Sequence, residues 1–209
     1  MTKVKICGIT NLEDALHSIK LGADALGFNF YVKSPRYVTP EDAALIIGRL
    51  APVVLKVGVF VNETVEKIIE TSEIAKLDAI QLHGDETPDF CSEVNAGTNL
   101  DIIKAFRVTG KFNIEEVLEY NVGAVLLDAY SSNGRGGTGE TFNWDIACKV
   151  RKICPKLYLA GGLSPQNIAH AIATVRPFAV DACSRLEREK GLKDAQKLKS
   201  FFAEVNRDI

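Results

Sequence analysis

Short apolar runs recur along the 209-residue chain: VKIC at 4–7, ALGFNF at 25–30, VVLKVGVF at 53–60, AIQL at 79–82, IIKAF at 102–106, AVLLD at 124–128, LYLAG at 157–161 and FAVDA at 178–182. Most lack the alternating polar positions of a strand with one wet face, and so read as parallel strands covered on both sides. Between them lie polar segments with apolar stripes at helical spacing: Leu12, Ala15, Leu16 and Ile19, then Val65, Ile68 and Ile69, then Ile146, Val150 and Ile153. Thr39-Pro40-Glu41-Asp42 places a capping side chain, a proline and two acids where a helix begins, and Ser164-Pro165 repeats the device. Strand and helix alternating eight times predict an α/β fold of the closed (β/α)8 TIM-barrel type, because closure removes sheet edges and the helices cover the outer face. A doubly wound open sheet is the structural rival. The length leaves little room beyond one core, so residues 1–209 are expected to form a single domain.

Composition narrows the class of molecule. Hydrophobic residues make up 46% and charged residues 25%, which excludes a disordered chain, and a net charge of -2 supplies no field to attract nucleic acid. No apolar stretch is long enough for a membrane span, and a cytoplasmic location is expected. The five cysteines form no Cys-x-x-Cys pair, and the three histidines form no His-x-x-His pattern, so no metal, cofactor or disulfide scaffold is expected. Monomer and homodimer both fit.

Two irregular segments, YVKSPRYVT at 31–39 and the glycine-rich YSSNGRGGTGE at 130–140, each follow a predicted strand. They belong to the face where a barrel builds its active site. Cys7 ends the first run; on its own it is either a small buried hydrophobe or a base whose environment lowers its pKa. Asp128 closes AVLLD as a loop cap or an acid converging on the same mouth. Arg36 has a planar fork suited to a carboxylate, or is a solvated charge. Gln81 and His83 flank Leu82, and strand alternation sends both to one side, toward a ligand or into a purely structural pair. Gly161 and Gly162, with Asp181, Cys183 and Ser184, follow the seventh and eighth runs, where this architecture usually holds phosphate on backbone N–H groups.

The set KICGIT at 5–10, GADALGFNF at 22–30, SPRYV at 34–38, QLHGDE at 81–86, GGTG at 136–139, LAGGL at 159–163 and VDACSRLE at 180–187 resembles, in order and spacing, the phosphoribosylanthranilate isomerase family over nearly the whole chain. The resemblance implies an Amadori rearrangement in tryptophan biosynthesis, from N-(5-phosphoribosyl)anthranilate to 1-(2-carboxyphenylamino)-1-deoxyribulose 5-phosphate, with a small phosphorylated substrate and no cofactor. It implies Asp128 as general acid and Cys7 as general base, Arg36 at the anthranilate carboxylate, Gly162 and Ser184 with their neighbours at the phosphate, and Asp181, Gln81 and His83 in the active site. The two roles are opposed, so Asp128 needs a buried or negatively charged setting and Cys7 needs positive dipoles.

Family members usually read VDVSSGVE where this chain reads VDACSRLE, so Cys183 stands for a serine and Arg185 for a glycine. If that glycine has positive φ, Arg185 carries about 1 kcal/mol or more of strain; alternatively Arg185 adds a phosphate contact. The rival readings are a related phosphosugar barrel such as indoleglycerol-phosphate synthase, for which Lys5, Lys56 or Lys104 would supply a catalytic lysine, and a non-catalytic phosphate-ligand-binding barrel.

Overall fold

The computed structural model describes residues 1–109, 112–129 and 144–207. The glycine-rich segment at 130–140, including GGTG at 136–139, lies outside the described residues. Eight parallel strands close into a barrel: β1 (Lys3–Cys7), β2 (Ala25–Asn29), β3 (Leu55–Phe60), β4 (Ala79–Leu82), β5 (Asp101–Val108), β6 (Ala124–Ala129), β7 (Leu157–Leu159) and β8 (Ala179–Ala182). Each pairs with the next, and β8 returns to β1 with Lys5 opposite Asp181 and Ile6 opposite Ala182. The α/β barrel expected from the apolar runs is therefore the observed fold.

Period-two alternation divides the strands between two cores. Ala25, Val57, Ala79, Ile103, Leu126 and Ala179 fill the barrel interior, and Ile6, Leu26, Phe28, Ile80, Leu127 and Val180 pack outward against the helices. Phe28 is fully buried, so its truncation to alanine would cost about 3–5 kcal/mol. Followed toward the carboxyl ends, the inward alternation reaches Cys7, Gln81, Asp128 and Asp181.

The outer layer consists of α1 (Leu12–Leu21), α2 (Pro40–Ile47), α3 (Val65–Ala75), α4 (Pro88–Thr98), α5 (Trp144–Ile153), α6 (Ile168–Val175) and α7 (Ala195–Val205). Thr39 caps α2 as its sequence predicts, accepting the Asp42 N–H. Other expectations are corrected. Among the described residues no α-helix lies between β5 and β6; a 3₁₀ helix, Ile114–Glu119, makes the return, and its greater rise per residue spans the distance with fewer residues. Ser164-Pro165 does not start α6, which begins at Ile168, because Asn167 turns its side chain back onto Gly162 and Ser164 instead of capping the helix. Val53 lies outside β3 and is exposed, as are Leu16 and Ile153 of the predicted stripes. After β8, a short hairpin of β9 (Glu187–Glu189) and β10 (Leu192–Lys193) precedes α7. Among the described residues no helix is long and apolar enough to cross a membrane.

Candidate active site

The carboxyl ends of the strands surround a cavity of about 580 Å3 whose lining includes all ten residues singled out above: Cys7, Arg36, Gln81, His83, Asp128, Gly161, Gly162, Asp181, Cys183 and Ser184. The segment at 31–36 contributes Tyr31, Lys33, Ser34 and Pro35, and the loop after β8 adds Arg185 and Lys190.

On the β1/β8 side the groups are charged. Lys5 is fully buried and its ammonium lies 3.0 Å from the Asp181 carboxylate, its register partner. Cys7 is the next inward residue of β1, and Gly27 beside it leaves room for the thiol: a Cβ there would come within 2.7 Å of the Cys7 Sγ. A hydrogen bond from Cys183 holds the Cys7 thiol well below the ordinary thiol range; burial opposes this, and the charges of Lys5 and Lys193 reinforce it. Asp181 is pushed up to about 7 by burial, which Lys5 offsets only in part while Cys7 and Asp128 add to it. One ammonium is thus shared between two acids, and its larger interaction is with Asp181.

Behind Cys7 stands a second cation that the sequence did not reveal. The Lys193 ammonium, fully buried in β10, donates to the Cys7 carbonyl at 2.6 Å and to the Glu187 carboxylate at 3.2 Å, and lies 3.8 Å from the Cys183 Sγ. Glu187 also receives Arg36 through both arms of the fork, Nε and Nη2 each at 2.7 Å. Burial raises the Glu187 carboxyl, but Arg36 and Lys193 more than offset it and hold it below the usual range. Lys193 and Glu187 belong to a hydrophilic stretch, EREKGLKDAQK at 187–197, that reads as a solvated surface. Lys5 had a signal, since it shares the inward face with Cys7 two residues on.

The β4/β6 side is built from an amide, an imidazole and a carboxyl group in series. Gln81 Nε2 donates to His83 Nδ1 at 2.8 Å, which leaves the ring proton on Nε2, and that nitrogen faces Asp128 Oδ2 at 3.3 Å. Gln81 and His83 do share one face, as alternation predicts. Behind the strand, the buried pair Lys104 and Glu86, 2.7 Å apart, fixes the following turn: Glu86 accepts the Gly84 N–H, and Lys104 donates to the Gly84 carbonyl. Lys5, Lys56 and Lys104 all lie outside the cavity lining, and Lys56 pairs with Asp78.

At the third edge, Gly161 and Gly162 have φ of 89° and 66°, a conformation that costs glycine nothing and other residues about 1 kcal/mol or more. Asn167 donates to the Gly162 carbonyl and accepts the Ser164 N–H, which locks the turn. Opposite, Arg185 lies within a 3₁₀ turn, Ser184–Leu186, and is not among the residues with positive φ. The strain expected at Arg185 is therefore absent, because its φ is not positive. Among the described residues no group of three or more His, Cys, Asp and Glu side chains is placed to hold a metal ion.

Comparison with known proteins agrees with this geometry. Residues 4–204 match the family model described as N-(5'phosphoribosyl)anthranilate (PRA) isomerase. The chain is 51% identical over 202 residues to N-(5'-phosphoribosyl)anthranilate isomerase from Geotalea uraniireducens, and 49% identical over 202 residues to that from Trichlorobacter lovleyi, covering 97% of each chain in both cases. The solved structure of phosphoribosyl anthranilate isomerase from Thermotoga maritima superposes with a TM-score of 0.91 at 44% identity, over 99% of this chain and 100% of that one. A structure of such an isomerase in complex with reduced 1-(o-carboxyphenylamino)-1-deoxyribulose 5-phosphate superposes with a TM-score of 0.87 at 42% identity, over 99% and 100% of the two chains.

Proposed function

The chain belongs to the N-(5'-phosphoribosyl)anthranilate isomerase family, and we infer from this that its cavity converts N-(5'-phosphoribosyl)anthranilate into 1-(2-carboxyphenylamino)-1-deoxyribulose 5-phosphate, a step of tryptophan biosynthesis. Residues 1–209 act as one catalytic domain in the cytoplasm. The observation that carries the reading is the pairing, in one cavity, of a thiol poised to be an anion with a carboxyl group that faces an imidazole N–H.

Asp128 gives its proton to the furanose ring oxygen, the C1′–O bond breaks, and the anthranilate nitrogen lone pair forms an iminium ion. The carboxylate left behind meets the His83 Nε2–H already facing it, which eases the transfer. The iminium acidifies the neighbouring carbon, and the Cys7 thiolate takes the C2′ proton. The electron pair returns to nitrogen as an enolamine, which tautomerises to the ketone. Cys183, and then the charges of Lys5 and Lys193, favour the anionic base before the transfer, and the chemistry asks nothing of a cofactor.

The rest of the cavity suits the remaining parts of the substrate. The backbone at Gly161, Gly162, Cys183 and Ser184 receives the phosphate, with Arg185 and Lys190 alongside. Arg36 spends two of its five donors on Glu187, which orients the fork, and offers others to the anthranilate carboxylate. Gln81 Oε1, buried without a hydrogen-bond partner among the described residues, accepts from a sugar hydroxyl, and Asp181 takes the neighbouring polar position.

The test is the loss of anthranilate fluorescence on mixing the protein with freshly generated substrate in the presence of a chelator. Wild type is expected to turn over rapidly, and C7A and D128A each to lose about 10²- to 10⁴-fold in kcat. Undiminished kcat in either variant would sink that residue's role. Saturable binding without turnover would move the reading to a phosphate-ligand-binding barrel.

A further inference from the structure

We propose that Cys7 and Cys183 are an oxidisable pair, which a hydroperoxide joins as a disulfide that takes the base out of action and a thiol reductant restores. The sheet places them together. Ile6 lies opposite Ala182 in the parallel ladder, so Cys7, the last residue of β1, and Cys183, the first residue after β8, follow side by side, two positions beyond the inward pair Lys5 and Asp181. Adjoining strands lie about 4.8 Å apart, inside the roughly 4.4–6.8 Å between Cα atoms that a disulfide spans. Each thiol shifts the ionisation of the other, both line the open cavity, and the Lys193 ammonium reaches the carbonyls of both residues.

The chemistry balances with the peroxide as sole oxidant. The Cys7 thiolate attacks one peroxide oxygen, the O–O bond breaks, the alkoxide or hydroxide leaves and is protonated, and Cys7 becomes a sulfenic acid. Cys183 then attacks the Cys7 sulfur; the S–O bond breaks, hydroxide leaves with the Cys183 proton as water, and the S–S bond forms. The pair loses two electrons and the peroxide gains them. Cys183 becomes a better nucleophile at the moment it is needed. Its thiol is held well above the ordinary range first by its hydrogen bond to Cys7 and then by burial, and Cys7's charge adds to this. Once Cys7 is a neutral sulfenic acid, the charge is gone while Lys193 and Arg36 remain to favour the thiolate. The remaining thiols serve as internal controls: all lie outside the cavity, and burial pushes Cys91 up to about 11 and Cys154 above its usual range.

The experiment exposes the full chain to hydrogen peroxide, traps free thiols by alkylation, and maps non-reduced peptides by mass spectrometry, with turnover measured before and after dithiothreitol. Expected are a Cys7–Cys183 linked peptide, alkylated Cys91, Cys148 and Cys154, and at least a tenfold loss of turnover that dithiothreitol reverses. C183S, referred to its own untreated rate, is expected to be inactivated without recovery, because an unresolved sulfenic acid proceeds to sulfinic acid. Wild-type Cys7 recovered as sulfinic acid with no cross-link, a link to another cysteine, or full recovery of C183S would each overturn the proposal. Only the loss of turnover rests on the isomerase reading with Cys7 as base; the linked peptide is read by mass alone, so the two can fail separately.

Discussion

The two sides of the cavity are built from different materials. Around Cys7, four charged side chains, Lys5, Asp181, Lys193 and Glu187, are buried at the β1/β8 seam and matched in ion pairs. Around Asp128, an imidazole oriented by a hydrogen bond from an amide faces the carboxylate. The division follows the chemistry proposed for each side. A group that must be an anion before the reaction requires fixed cations, whose burial is worthwhile only where every charge has a partner. A group that must first hold a proton and then release it is better served by a neutral donor that strengthens its hold as the charge develops.

Breaking the charged side should have the largest effect. K5M leaves Asp181 buried without its cation, and removing one member of a buried pair costs about 3–5 kcal/mol of stability; denaturant unfolding would show it. In the folded fraction, the pH profile of iodoacetamide labelling at Cys7 should move up toward the ordinary thiol range, and an unmoved profile would mean that Lys5 does not set the base. H83N tests the other side. It should lower kcat by about tenfold while leaving the labelling profile of Cys7 in place; movement of that profile would show that the two halves are coupled.

A subtler distinction lies in pH dependence. Asp181 titrates at about 7 in the folded protein, against about 3.9 in an unfolded chain. Between those values the folded state holds a proton that the unfolded state has released. This group's contribution to stability is therefore full below about pH 4 and is lost as pH rises through about 7. Subtracting the D181N unfolding curve from that of wild type should isolate that downward slope; parallel curves would refute it. The smallest effect is expected at the loop after β8. R185G should weaken binding of the phosphorylated product about fivefold, the value of one partly exposed ionic contact near 1 kcal/mol, with calorimetry as the readout; unchanged affinity would mean that Arg185 leaves the phosphate alone.

The barrel was legible because most of the strands are largely apolar on both faces, and closure covers eight such strands economically. Cys7, Asp128, Gln81 and His83 were legible as positions, since all lie at the ends of apolar runs where alternation gives their direction. Local rules failed where a side chain had a distant use. Ser164-Pro165 had the composition of a helix start, but the turn that Asn167 ties to Gly162 delays α6 to Ile168. Lys193 looked like one more surface charge, and nothing within ten residues of it announces that it lies under Cys7. The lowered thiol pKa of Cys7 was illegible for the same reason: it depends on Cys183 and Lys193, which only closure of the barrel brings near.

That contact has a consequence for how the molecule comes into being. The Lys193 ammonium and the Cys7 carbonyl are separated by 186 positions along the chain. At about 5–20 residues per second of synthesis, one leaves the ribosome roughly 10–40 s after the other. Throughout that interval the nascent chain carries its base without Cys183 and Lys193, which help to lower its pKa. The thiol is an ordinary, weakly ionised cysteine until the last strands arrive, and the enzyme acquires its reactive sulfur only when the barrel is ready to enclose it.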